Sequence, residues 1–325
     1  MSPEKELYSV VIPVFNSEKG IDEVVSRVIN FFQNNNLNFE IILVNDCSKD
    51  NSWVKIKEIA QKEENITSIN LLKNYGQHNA LFCGFKIAKG DFVITLDDDL
   101  QYLPEEIKHL IDKIHEGYDA VFGKYKKTQY HQNIIRCVLS KLMHIIIPKM
   151  FNVPADITIS SFRIIRRNVV DGIINYKTNF PYITGLIFLF SGTVANVDVK
   201  HNKREFGKSN YSFIKSLRLI SKILINYSSY PLIITSSFGL FLSMSSFLFG
   251  IFILIKHFTS STTVPGWASL AILISVLNGY LIFMMGILSE YCFRMLVELS
   301  SNQGYQIREI IKKKSVPLVN QDLYL

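Results

Sequence analysis

Two rhythms alternate through the first part of the chain: short continuous apolar runs, and longer stretches with apolar residues three or four apart. The runs Tyr8–Val14, Phe39–Val44, Ile66–Leu71, Phe92–Leu96 and Asp119–Gly123 predict strands. Between them Glu18–Phe32, Ser52–Lys62, Gln77–Ala88 and Pro104–His115 predict helices, the last stopped by Gly117. Strands that are apolar throughout belong in a sheet covered on both faces. The order therefore predicts an α/β fold with a Rossmann-like, mostly parallel sheet. Ligands of such sheets bind beyond the carboxyl ends of the strands.

A third pattern follows. No charged residue occurs from Ile223 to Ile255, nor from Phe258 to Ser289. At about 1.5 Å per helical residue either run is long enough to cross a hydrocarbon core. Lys256 to Gly266, with Pro265 and Gly266 as breakers, predicts a short polar hairpin and hence an antiparallel pair. Lys200, Lys203, Arg204, Lys208, Lys215, Arg218 and Lys222 precede the pair, and Arg294, Arg308 and Lys312 to Lys314 follow it. Basic flanks face the cytoplasm, so both ends are expected there. Phe213, Leu217, Ile220 and Leu224 share one face of a predicted interfacial helix. Ile134 to Met150 reads equally as a second such helix or as an amphipathic core helix.

The 325 residues are 48% hydrophobic and 19% charged, with a formal net charge of +7. Basic excess suits nucleic acid or anionic lipid, and the apolar runs decide for a membrane bilayer over nucleic acid. Cys47, Cys83, Cys137 and Cys292 show no metal-type spacing and are expected as reduced thiols. The charged N-terminus runs straight into a strand, which predicts no secretory signal peptide.

Candidate chemistry gathers at the predicted strand ends. Asp97, Asp98 and Asp99 close the fourth strand, and adjacent carboxylates call for a cation such as Mg²⁺ or Mn²⁺, completed by substrate phosphates. A solvated turn before the helix at Pro104 explains the same residues. Pro13, Phe15, Asn16 and Glu18, then Asn45 and Asp46, then Lys73 and Gly76, share the rim with Asp97 and Asp98. Such a rim suits a nucleotide diphosphate, with Asn45 and Asp46 supplying planar groups to base and ribose; for Asp46 a turn role is the alternative. Lys203, Arg204 and Lys208 surround Gly207 in a stretch that fits phosphate binding or attraction to anionic headgroups. No G-x-G-x-x-G follows the first strand and no P-loop occurs, so dehydrogenase and P-loop chemistry lack support.

Together, Val10-Val-Ile-Pro-Val-Phe-Asn16, Asn45-Asp-Cys-Ser48, Asn74-Tyr-Gly-Gln-His78, Leu96-Asp-Asp-Asp-Leu-Gln101 with Pro104-Glu-Glu106, and Arg204-Glu-Phe-Gly-Lys-Ser-Asn-Tyr211 resemble the GT-A glycosyltransferases of family 2. Within these they resemble the polyprenyl-phosphate glycosyltransferases akin to dolichyl-phosphate mannose synthase and bacterial undecaprenyl-phosphate sugar transferases. The resemblance implies a GT-A catalytic domain over 1–211, an interfacial helix over 212–230, a transmembrane hairpin over 231–290 and a cytoplasmic tail over 291–325. It implies that Asp97 and Asp99 form the D-x-D pair, with Asp99 and Gln101 at the metal and Asp97 toward the donor's ribose and sugar. Arg204 would contact phosphate, and Asp156 would serve the acceptor region catalytically. Arg163, Lys208, Ser209 and Tyr211 join Arg204 as expected phosphate or acceptor ligands.

The implied activity is inverting transfer of one sugar from a nucleotide sugar donor, expected to be UDP-linked, to polyprenyl phosphate, expected to be undecaprenyl phosphate. It would occur at a bacterial cytoplasmic membrane, and homo-oligomerisation stays open. Where relatives read Asp-Asp-Gly-Ser, this chain has Asn45-Asp46-Cys47-Ser48, which bears on nucleotide choice. A Q-x-x-R-W string is absent, favouring single-sugar transfer. The rival readings are a non-catalytic membrane scaffold and a transferase with a diacylglycerol-type hydroxyl acceptor.

Overall fold

The structure is a computed structural model that describes residues 6–125, 150–151, 153–154, 156–178, 180–200, 202, 223, 226–228, 230–259, 266–300 and 304–313. The strands are β1 (Leu7–Val14), β2 (Asn38–Asn45), β3 (Ile66–Leu71), β4 (Phe92–Thr95), β5 (Ala120–Lys124), β6 (Arg163–Arg166), β7 (Val194–Asp198) and β8 (Ile307–Lys312). They form one sheet in the order β7-β5-β6-β4-β1-β2-β3-β8. β1 pairs in parallel with β2 and β4, and β2 with β3. Two strands are reversed: β6 between β4 and β5, and β8 against β3.

The central strands form where the sequence is mostly apolar, because both faces are covered. Val10, Ile12 and Val14 of β1 pack with α1 (Ile21–Asn34) and α4 (Ile107–Ile114) in one core. On the opposite face α3 (Gln77–Ile87) lies directly on the strands: a methyl group added at Gly84 would come within 2.3 Å of Val11. In α1 the buried residues Val24, Val25, Val28, Phe31 and Phe32 follow the helical period, with Asp22 and Glu23 in the first turn. This helix starts three residues later than the pattern suggests, because Ser17 and Gly20 first close a turn whose Ser17 carbonyl accepts the Gly20 and Ile21 N–H groups. α2 is Ser52–Lys62, as expected, and a 3₁₀ turn, Pro104–Glu106, precedes α4.

Beyond β5 the sequence reading predicted, short of the interfacial helix, only the helix over 134–150, as a core helix or an interfacial one; the structure adds β6, α5 (Arg167–Asn175), α6 (Ile183–Phe190) and β7. The expected tail over 291–325 also needs correction. The described part of its end forms β8, antiparallel to β3, and the chain divides into one unit of Met1–Tyr211 with Gln303–Leu325 and a second of Ser212–Asn302. Buried Tyr305 anchors the returning segment through a hydrogen bond with Cys83 and an edge contact with Phe82, ring centroids 6.5 Å apart.

The second unit contains α7 (Tyr230–Thr259) and α8 (Trp267–Ser300). They run antiparallel: the Tyr280 hydroxyl donates to the Thr235 carbonyl, and the Tyr291 hydroxyl to the Ser228 carbonyl at 3.0 Å. Both are long and apolar enough to cross a membrane, over Tyr230–Phe252 and Val276–Phe293. Leu240 and Ile282 are each 71% exposed, so an apolar surroundings is required to cover them. The helices overrun their expected limits. α7 continues through Lys256 to Thr259 because the helix breakers come only at Pro265 and Gly266, and α8 passes residue 290 to Ser300. Most of the expected interfacial helix, and nearly all of 134–150, lie outside the described residues.

The anchoring role of Tyr305 makes a prediction. Tyr305→Ala should lower the stability of the catalytic unit by about 3 kcal/mol, the usual cost of emptying an aromatic site. Equilibrium unfolding of the full chain measures it; an unchanged midpoint would show that the returning segment adds no stability.

Candidate active site at the strand ends

Parallel pairing brings the ends of β1, β2, β3 and β4 to one rim, and hydrogen bonds then lock the four loops together. After β1, Phe15 N–H and the Ser17 hydroxyl both donate to the same oxygen of Asp98, the first at 3.0 Å. Asn16 N–H donates to Ser48 Oγ at 3.0 Å, while Asn16 Oδ1 accepts from Lys49 N–H at 2.8 Å. Glu18 accepts from Asn51 N–H at 2.9 Å. Pro13 lies in the register opposite Val44. Thus the expected donor residues of the first loop do join those of the second.

Asn45 is buried, donating to Asn70 Oδ1 at 2.8 Å and accepting from the Ser48 hydroxyl at 2.6 Å. Asp46 holds the β3–α3 turn: its two oxygens take Tyr75 N–H at 2.7 Å and Gly76 N–H at 2.8 Å. Desolvation raises its pKa against those two bonds. The turn role weighed for Asp46 is therefore present, and it aligns the loop that carries Lys73, whose ammonium lies 5.2 Å from the Tyr75 ring. Gly76 adopts φ +88°, a left-handed conformation that favours glycine.

Non-glycine residues occupy that same region at Asn16 (φ 54°), Asn36 (φ 52°), Cys47 (φ 57°) and Leu100 (φ 56°). Asn36 follows α1; the other three lie in the rim loops. Such conformations cost energy and persist where the surroundings enforce them, which is typical of functional loops.

The acidic triplet divides its tasks. Asp97 accepts from Gln77 Nε2 at 2.8 Å and from the Ser161 hydroxyl. Asp98 faces inward to β1's loop, and burial pushes its pKa up to about 6 despite the Ser17 and Phe15 bonds. Asp99, 8% exposed, accepts from Gln101 N–H at 3.1 Å. Gln101's carbonyl in turn accepts from Asn202 N–H at 2.8 Å, which brings Asn202 beside the triplet. Among the described residues no group of three or more His, Cys, Asp or Glu is placed to hold a metal unaided. The donor set nonetheless fits a divalent ion, because Mg²⁺-type sites use one or two carboxylates and leave the rest of the shell to substrate phosphates.

Other expected residues fall elsewhere. Arg163 is corrected: it is 1% exposed inside β6, donating to Thr184 Oγ1 at 2.9 Å, and does not offer its guanidinium to solvent. Asp156 is an exposed turn residue, and no hydrogen bond among the described residues joins it to the triplet. Arg204, Lys208, Ser209 and Tyr211 lie outside the described residues. Ser17, Gln77 and Ser161 were not assigned from sequence. The last two sit in Asn74-Tyr-Gly-Gln-His78 and Ser160-Ser-Phe-Arg163, strings that mark them only once their partners are known.

A family model described as glycosyl transferase family 2 matches residues 9–174. Over 317 residues, 97% of this chain and 96% of the relative, the sequence is 32% identical to undecaprenyl-phosphate 4-deoxy-4-formamido-L-arabinose transferase of Proteus mirabilis (strain HI4320). The chain belongs to glycosyl transferase family 2. This glycosyltransferase also shares its fold with glucosyl-3-phosphoglycerate synthase of Mycobacterium tuberculosis, solved with Mn²⁺, UDP and glucosyl-3-phosphoglycerate. The TM-score is 0.50 at 17% identity, covering 68% of this chain and 80% of that one. A second complex of that synthase, with Mn²⁺, UDP-glucose and phosphoglyceric acid, gives a TM-score of 0.50 at 16% identity, covering 67% and 79%. The fold is thus GT-A, with its mostly parallel sheet.

The raised pKa of Asp98 predicts a pH dependence. A carboxyl whose folded pKa exceeds the unfolded value of about 3.9 stabilises the fold below that value, and the contribution fades as pH rises through the folded pKa. In metal-free buffer, stability should therefore decline from pH 4 toward 7 more steeply in the wild type than in Asp98→Asn. Parallel pH profiles of the two proteins would show the carboxyl unperturbed.

Proposed function

We propose that the protein transfers one sugar, with inversion, from a nucleotide diphosphate sugar to a polyprenyl phosphate. The observation that carries this is the convergence of Asp97, Asp99 and the three neighbouring loops on one rim, in a chain related over nearly its whole length to an undecaprenyl-phosphate sugar transferase. UDP is the favoured donor nucleotide, and undecaprenyl phosphate the favoured acceptor. The Mn²⁺–UDP complexes of the structurally similar synthase support a divalent ion with UDP. Mg²⁺ satisfies the same donor set.

On this reading the loops after β1, β2 and β3 cradle the nucleotide, and Asp97 orients the donor's ribose and sugar. Asp99, with Gln101, would hold the ion, which when bound neutralises charge on the departing diphosphate. Arg204, two residues after Asn202 in sequence, would add a guanidinium to those phosphates. The acceptor needs little activation. A phosphomonoester whose second pKa is about 6 is largely dianionic at neutral pH, so its oxygen can attack the anomeric carbon without a strong base. Asp156 then has an orienting role at most. Preorganised charge supplies the catalysis.

The two apolar helices, long enough to cross a hydrocarbon core, support a membrane-bound enzyme beside a lipid acceptor. With two spans among the described residues the chain would return to the side it left, and the basic flanks favour the cytoplasm as that side.

Purified protein incubated with undecaprenyl phosphate, Mn²⁺ or Mg²⁺ and a panel of nucleotide sugars should yield a glycosylated lipid phosphate by mass spectrometry. No product with any donor would overturn the proposal. Asp99→Ala should abolish transfer while leaving membrane insertion intact, and wild-type turnover would remove its metal role. Arg204→Ala should reduce turnover by a factor on the order of a hundred, as for loss of a preorganised charge donor. An unchanged rate would reassign that stretch to the lipid surface.

A further inference from the structure

β6 reverses direction inside an otherwise parallel region, and the reversal has a chemical consequence. Its antiparallel register pairs Arg163 with Thr95. Extended two residues outward, the same register sets Ser161 opposite Asp97, where the Ser161 hydroxyl donates to the carboxylate and the Ser161 carbonyl accepts from the Thr95 hydroxyl. Residues two apart share a face of a strand. Arg163 therefore lies one pleat beneath Asp97, on the same face.

Its burial is costly. Among the described residues the guanidinium donates one hydrogen bond, Nη1 to Thr184, lies over the Phe122 ring at 5.9 Å, and leaves Nε without a partner. Beside it His78 has a buried Nδ1 that also lacks a partner, and its ring meets Tyr182 edge-on at 5.2 Å. Burial and the neighbouring guanidinium push the His78 pKa down to about 4, so this imidazole stays neutral at neutral pH. Arg163 itself is lowered by desolvation only to about 10, with Asp97 opposing the shift, and keeps its charge. A buried cation with unspent donors is unfavourable unless an anion compensates it.

We propose that Arg163 is a positioning residue of the transfer reaction: the counter-charge beneath Asp97 which, with Ser161, fixes that carboxylate toward the donor. It replaces the acceptor role expected for Arg163 and rests on the proposed donor role of Asp97. The strand reversal then explains itself, since a parallel strand would present different residues to the end of β4. A fixed internal cation also offsets the crowding of three adjacent acids before any substrate arrives. Neutral His78, close enough to feel the guanidinium, adds no charge that would compete for the carboxylate.

The test is a double-mutant cycle on the full-length protein in lipid nanodiscs, with Asp97→Asn, Arg163→Met and the double variant. UDP with Mn²⁺ serves as the probe. Each single change should weaken UDP binding by about tenfold, and the double variant should bind no worse than either, as expected for residues acting as one unit. Arg163→Lys, which keeps the charge, should bind within about threefold of wild type. Additive losses, or Arg163→Met binding as wild type does, would overturn the proposal.

Melting temperature supplies an arm that needs neither nucleotide nor acceptor. Asp97→Asn strands the buried cation and should melt below wild type, whereas Asp99→Asn should not, and adding Arg163→Met should restore the loss. Equal melting of the two Asp variants would contradict the pairing, and this arm still decides if Arg163→Met alone fails to fold. Failure of the wild type to bind UDP or to glycosylate lipid would strike the functional reading and leave the thermal arm standing.

Discussion

Parallel pairing of β1 with β2 and β4 is the constraint from which the site follows. It forces the loops after Val14, Asn45, Leu71 and Thr95 to emerge on one side, where none could satisfy its backbone alone. Carboxylates and hydroxyls do that work between loops. Asp98 holds the β1 loop, Asp46 holds the β3 loop, and Ser48 bridges the β1 and β2 loops. Within the acidic triplet Asp98 is thus a clamp between loops, as Asp46 is in the second loop, and Asp97 also bridges loops by accepting from Gln77. The proposed donor roles fall to Asp97 and Asp99.

How far the sequence disclosed this depends on burial. Strands β1 to β3 were legible because both faces are covered and most positions are apolar, although Ser9, Thr67, Ser68 and Asn70 interrupt the runs. Helix starts were less so, since Ser17 to Gly20 has helical polarity but spends its hydrogen bonds on a turn. β6 escaped notice because four residues, with arginine at each end, carry no strand rhythm, and β8 because its alternating charges look like a solvated tail. The rim was foreseen because a parallel sheet has one. Its wiring was not: which of three adjacent acids turns inward depends on Ser17 and Phe15, eighty residues away in sequence. Arg163 was misplaced for a similar reason: its expected ligand role came with the resemblance, and its burial follows only from the register that sets it opposite Thr95.

The second unit complements this chemistry. Two antiparallel helices with exposed Leu, Ile, Phe and Met along their length demand an apolar environment, and a lipid-borne phosphate is an acceptor that needs positioning more than activation. A hydroxyl acceptor would require a base near the reacting centre. Asp156, on an exposed turn without a hydrogen bond to the triplet among the described residues, offers little support for one.

Hydrogen exchange of the full-length protein with and without UDP and Mn²⁺ addresses the shared rim most directly. Cooperative loops predict that the ligand slows exchange together at residues 15–17, 46–48, 75–77 and 97–101. Protection limited to one of these segments, or absent from all four, would contradict the account.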